Sequence, residues 1–113
     1  MLEKLYGIDV ELGMSYCLDD EDCYLEILEE YVKSAKIDEL NGFKESRDWG
    51  NYRILIHAVK STSMTIGAKE LSGKALELEN ACKDGNEEYV LNNHEECMAM
   101  YRNVIKTIEE AMN

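Results

Sequence analysis

The 113-residue sequence contains no proline, only seven glycines, one tryptophan and one phenylalanine. The missing proline removes the strongest helix breaker, and scarce glycine leaves few sites for tight turns, so a turn-rich β architecture is poorly served. Long apolar runs are also lacking. The longest unbroken aliphatic stretch is Ile54-Leu55-Ile56, far short of the roughly 20 residues that cross a bilayer, and no direct membrane contact is expected. Basic residues are few: 12 Lys and Arg stand against 24 Asp and Glu, a formal net charge of −12. Such a chain is repelled by a phosphate backbone, which excludes DNA and RNA as expected partners. The four cysteines, Cys17, Cys23, Cys82 and Cys97, sit at unrelated spacings, and Met1-Leu2-Glu3-Lys4 opens on charge with no apolar leader behind it. They read as reduced thiols of a cytoplasmic protein. No P-loop, kinase-type glycine loop or dinucleotide fingerprint occurs, so the chain has no ATP site of its own.

What remains is a helical composition. Leu, Glu, Lys, Ala and Met are abundant, and straight side chains lose little rotamer freedom in a helix. At this length one domain, residues 1–113, is expected, with a core large enough to stand without disulfide or metal staples. Apolar residues recur at three and four positions in Leu25, Leu28, Val32 and Ala35, in Leu71, Ala75, Leu78 and Cys82, and in Val90, Cys97, Tyr101, Val104, Ile108 and Ala111, each series reading as one buried stripe. Asp19 to Asp22 place carboxylates at the positive end of a helix beginning near Glu21. Gly42 and Gly50 suggest that this first long helix gives way to a shorter one before Trp49. Gly85, in Lys83-Asp84-Gly85-Asn86, suits the left-handed stop of another, and a last helix of about 25 residues follows from Glu87. A short N-terminal helix is expected around Asp9 to Tyr16, with Gly7 and Gly13 at its edges. The expected fold is all-α: an up-and-down antiparallel four-helix bundle with one or two short additional helices near the N-terminus.

The segment from Tyr52 to Lys74 carries the chemistry. On a helical wheel Tyr52, Leu55, Val59, Thr62 and Ile66 share a core side, whereas His57 faces water with Arg53, Lys60, Ser61 and Met64 near it. Arg53, Lys60, Lys69 and Lys74 oppose only Glu70 here, a positive patch on an acidic chain that suits a phosphoryl group or an acidic pocket on a partner protein. Imidazole titrates near pH 6.5 in water, so it is largely neutral at pH 7 and its bare nitrogen is a nucleophile. Lys60, one turn on, can approach an anion on the ring, and Ser61 is too small to shield it. Met64, flexible and on the same face, is the leading docking candidate, with Ile54 and Ile56 on its flanks. No acidic residue occupies the neighbouring turns of this helix to orient the imidazole. Any phosphoryl group on His57 must therefore come from another protein and leave to another.

The string His57-Ala58-Val59-Lys60-Ser61-Thr62-Ser63-Met64-Thr65-Ile66-Gly67-Ala68, continuing through Leu71 to Leu78-Glu79, resembles the signature of histidine-containing phosphotransfer (HPt) domains. Gly7-Ile8-Asp9, the acidic entry to Tyr24-Leu25-Glu26-Ile27-Leu28, and Asp48-Trp49 resemble the rest of that family's layout, so the likeness spans essentially the whole chain. The resemblance implies a four-helix phosphorelay intermediate that takes a phosphoryl group from a receiver-domain aspartate, or from a sensor histidine kinase module, and passes it to another response-regulator receiver domain. It implies that His57 is phosphorylated through Nε2, that Lys60 steadies the phosphoryl oxygens, and that Gly67 allows close packing where one helix turns into the next. Ser61 departs from the glycine that many members carry there. It further implies a phosphocarrier and no enzyme in its own right, no cofactor on this chain, with Mg2+ held by the partner receiver domain. A cytoplasmic monomer is expected, free or as a module of a membrane-tethered hybrid kinase.

Two other readings stand beside it. An interaction-only helical bundle would dock partners without carrying phosphate. A Cys/His metal-binding bundle would use His94 and Cys97, three residues apart on the last helix, with Cys17 and Cys23 completing the set, although Cys82 and Cys97 fall on apolar stripes where cysteine acts as a small hydrophobe.

Overall fold

The computed structural model describes residues 2–113, and among these every regular element is helical. A single 3₁₀ turn, Leu2–Lys4, precedes α1 (Val10–Tyr16), α2 (Glu21–Lys33), α3 (Ile37–Glu45), α4 (Trp49–Ile66), α5 (Lys69–Lys83) and α6 (Glu87–Met112). The starts follow local chemistry. The side chains of Asp9, Asp20, Asp48 and Asn86 each accept the N–H of the residue three positions on, satisfying a backbone donor that the helix leaves unpaired. With 26 residues at 1.5 Å each, α6 is about 39 Å long, and it sets the 40 Å long axis of the molecule.

Packing arranges the long helices around one core. α4 lies against α5, α5 against α6, α6 against α2 and α2 against α4, while α3 covers α4 and α6 and α1 covers α2 and α4. Fully buried Tyr24, Leu28, Leu40, Tyr52, Ile56, Ile66, Leu71, Leu78, Met98 and Ile108 fill the centre.

Several expected positions shift. On α2 the buried residues are Tyr24, Leu28 and Tyr31, and Leu25 and Val32 are only half-buried, as is Ala35 just beyond the helix end. The tyrosines win the interior because their hydroxyls find partners there: Tyr24 donates to the Ile66 carbonyl at 2.8 Å, and Tyr31 shares a 2.8 Å bond with Ser63. The α2–α3 break falls at Ser34–Lys36, with Gly42 inside α3 and Gly50 in the first turn of α4; the Lys36 N–H is tied to the Tyr101 hydroxyl at 3.2 Å, an anchor from a remote helix. On α4 the buried line is Tyr52, Ile56, Val59, Ser63 and Ile66. Thr62 is exposed and Leu55 half-buried, because packing by α5 on one side and α2 and α3 on others rotates the stripe from the one expected.

The α4–α5 turn is fixed by α1. Gly67 ends α4 at φ +92°, where a Cβ would overlap the Asp9 carbonyl oxygen, and the Asp9 N–H donates to the Gly67 carbonyl at 2.8 Å. Close packing at Gly67 is thus between this turn and the start of α1. Gly13 serves the same junction from the other side, since a Cβ there would sit 2.7 Å from the Ile66 carbonyl oxygen.

Candidate functional site

His57 occupies the middle of α4 with its side chain 56% exposed. The helix is held on its opposite side by Tyr52, Ile56, Val59 and Ser63, which leaves the imidazole little freedom to turn inward. Its Nδ1 lies 2.5 Å from Glu79 Oε2 on α5. A carboxylate can only accept, so Nδ1 carries the proton and donates it, and in the neutral ring Nε2 is then the bare nitrogen. The geometry therefore selects one tautomer of the neutral ring, the one with its free nitrogen at Nε2.

Glu79 is the residue that single-helix reasoning missed. Its side chain is only 4% exposed, yet it carries charge among Leu71, Ser72, Ala75, Leu78 and Ala81, the other buried residues of α5. The compensation is visible. Lys60 Nζ donates to Oε1 at 2.8 Å, His57 Nδ1 to Oε2, and Lys83 Nζ stands 3.7 Å from Oε2. Burial pushes this carboxyl upward, and the hydrogen bonds from Lys60 and His57 outweigh it, holding Glu79 below the ordinary carboxylate range. An orienting acid is thus present, contrary to the reading of α4 alone; it arrives from the next helix. Its signal in the sequence was an acid following Ala75 by four residues along a buried stripe.

The other candidate residues divide. Lys60 is 25% exposed and committed to Glu79, and its own backbone carbonyl accepts from Ser72 Oγ at 2.9 Å. Arg53 and Ser61 are exposed beside the imidazole on the α4 surface. Met64 is exposed too, and with Lys60, Ser61, Lys69 and Leu76 it lines an open groove between α4 and α5. Gly67 stands at the far end of α4, in contact with α1 and away from the imidazole. Ile54 is exposed, but Ile56 is fully buried and is withdrawn as a docking residue, because the rotated stripe turns it into the core. On the other flank of α4, Leu55, Ala58 and Thr62 form an apolar hollow with Ile27 and Tyr31 of α2. Apolar surface thus flanks the histidine on both sides.

The second histidine is built for packing. His94 is fully buried, with Nδ1 2.8 Å from the Tyr52 hydroxyl and Nε2 2.7 Å from Asn41 Oδ1. Nε2–H donates to the amide oxygen and the tyrosine donates to Nδ1, so a neutral ring joins α3, α4 and α6. Burial holds it below its ordinary pKa. Cys97 is also fully buried, and burial raises its thiol to about 12. Among the described residues no three His, Cys, Asp or Glu side chains form a group that could hold a metal ion, and no helix is long and apolar enough to cross a membrane.

No family model, curated protein or solved structure matches the chain.

Proposed function

We propose that the protein is a phosphorelay intermediate of the histidine-containing phosphotransfer type, with His57 as its phosphoryl carrier. The observation that carries this reading is the Glu79 to Nδ1 hydrogen bond on an otherwise exposed imidazole. A nucleophile needs a bare nitrogen, a fixed ring and room for the incoming group, and His57 has all three. The ring of contacts through α2, α4, α5 and α6 supports the finer architecture of an up-and-down antiparallel four-helix bundle, with α1 and α3 as the short additions.

In the reaction, Nε2 attacks the phosphorus of an aspartyl phosphate on a partner receiver domain. The P–N bond forms as the P–O bond breaks, and the aspartate leaves as a carboxylate with the electron pair. The Nδ1 proton stays between His57 and Glu79, which offsets the positive charge developing on the ring. Phosphoryl transfer through a loose transition state relies on in-line placement and charge neutralisation, so this chain needs no ATP site and no metal. The partner supplies Mg2+ and the acidic pocket. Passage to a second receiver reverses the step, the P–N bond breaking as a receiver carboxylate oxygen takes the phosphorus, whereas arrival from a sensor kinase forms the same P–N bond as the kinase's own bond to phosphorus breaks. Met64, Leu55 and Ala58 supply apolar contact for docking, Arg53 and Lys60 positive charge, and Ser61 clearance. The protein acts in this reading as a cytoplasmic monomer.

The test is incubation with a phosphorylated receiver domain, with His57→Gln in parallel. Label that is acid-labile, alkali-stable and absent from His57→Gln is the expected result. Label retained by that variant, or no label on the unaltered protein with any receiver of a broad panel, overturns the proposal and favours an interaction-only bundle.

A further inference from the structure

We propose that Lys83, the last residue of α5, is the mobile counter-cation of the phosphorylated site: it leaves Glu79 to bind the phosphoryl oxygens while Lys60 stays locked on Glu79. The inference rests on the phosphocarrier reading of His57 and concerns which of two ammonium groups answers the new charge.

The two lysines hold Glu79 differently. Lys60 makes a 2.8 Å hydrogen bond to Oε1 and is three-quarters buried, so withdrawing it would strip a buried carboxylate of its closest cation. Lys83 sits 3.7 Å from Oε2, too long for a hydrogen bond, with half of its side chain in water. Oε2 is also the oxygen that takes the Nδ1 proton of His57, which puts the Lys83 ammonium on the imidazole's side of the carboxylate. Its flexible four-carbon stem allows it to swing at low cost. The charge count agrees. Lys60 and Lys83 together exceed Glu79 by one positive charge, and a phosphoryl group brings about −1.5 to −2 near pH 7. The surplus cation is the loosely held one. No bond is made or broken by the swing; one ion pair, Lys83 with Glu79, is exchanged for another, Lys83 with phosphoryl oxygen.

The test uses potassium phosphoramidate, a small phosphodonor that needs no partner protein, on the full chain and on Lys83→Ala, Lys83→Arg, Lys60→Ala and Arg53→Ala. Loss of phosphate from His57 is followed by ³¹P NMR, and the Lys83 side-chain resonances are followed as phosphate is added. Expected is a shift of the Lys83 signals on phosphorylation and a phosphohistidine lifetime about threefold to tenfold shorter in Lys83→Ala, the span of a charge-assisted hydrogen bond at a half-exposed site. Lys83→Arg restores the lifetime to within about twofold, since a guanidinium keeps the charge and reach. A Lys83→Ala lifetime equal to that of the unaltered protein overturns the proposal, as does an effect confined to Arg53→Ala or Lys60→Ala. Labelling of His57 by phosphoramidate with none from phosphorylated receivers would sink the relay reading and leave the Lys83 result standing on its own; no labelling of His57 from either donor sinks both.

Discussion

Replacing Glu79 by glutamine keeps its volume and one acceptor oxygen but removes its charge. In the native site two oxygens serve two donors, Lys60 on Oε1 and His57 Nδ1 on Oε2, with Lys83 nearby. The amide can keep one of those bonds and presents N–H groups to the other donor, so the imidazole loses its orienting partner or shares it. A charge-assisted hydrogen bond contributes about 1.5–3 kcal/mol, and solvent at the half-exposed imidazole reduces that toward 1.4 kcal/mol, roughly tenfold in the rate of phosphoryl acceptance. Stability moves less. Relief of the buried charge offsets the lost pairs, so Glu79→Gln is expected within about 1 kcal/mol of the native protein, equivalent to about 4 °C in Tm for a domain of this size. Glu79→Ala is worse by about 1–3 kcal/mol, because Lys60 keeps its place in a partly buried site without a partner. The assay pairs the rate at which label arrives from a phosphorylated receiver with thermal unfolding followed by circular dichroism. Acceptance at the native rate in Glu79→Gln, or a rate loss no larger than its loss of folded protein, refutes the orienting role.

The glycine at the α4–α5 turn gives a second expectation: Gly67→Ala combines a positive φ with overlap on the Asp9 carbonyl and is predicted to cost about 3 kcal/mol or more, whereas Gly85→Ala, at φ +70° with open space around it, costs only about 1 kcal/mol. Equal losses in urea denaturation would show that the α1 contact is dispensable. His94 sets a pH dependence. Its ring is neutral in the fold and held below the ordinary value by burial, so the unfolded chain binds its proton first as pH falls. Stability is thus lost below about pH 6.5, at up to about 1.4 kcal/mol per pH unit until the folded ring protonates as well. Denaturation between about pH 7.5 and 5.5 should show a slope that His94→Gln lacks; parallel slopes would contradict the assignment.

How much of this was legible in the sequence depends on the range of the forces involved. Helix starts at Glu21 and Glu87, and the stop at Lys83, were readable because Asp20, Asn86 and Gly85 act within one turn. The outward direction of His57 was readable because a helical wheel is local. Ile56 was misplaced and Leu55 and Thr62 overcounted as core, since α4 is covered from several sides and the wheel reveals only one. The preference for Tyr24 and Tyr31 over Leu25 and Val32 depended on acceptors more than thirty residues away. Glu79 was the costliest omission. Its partners, His57 and Lys60, lie on another helix, and nothing in the α5 segment alone reveals that an acid in a buried stripe meets an imidazole across the interface.

A phosphorelay through His57 requires that Nε2, and only Nε2, be open to an incoming phosphoryl group. Long-range ¹H–¹⁵N correlation spectra of the imidazole, recorded before and after phosphorylation, address it directly. Expected are a protonated Nδ1 and a bare Nε2 in the free protein, followed by coupling of ³¹P to Nε2 with the Nδ1 proton retained. A free protein with its proton on Nε2, or phosphorus coupled to Nδ1, would contradict it.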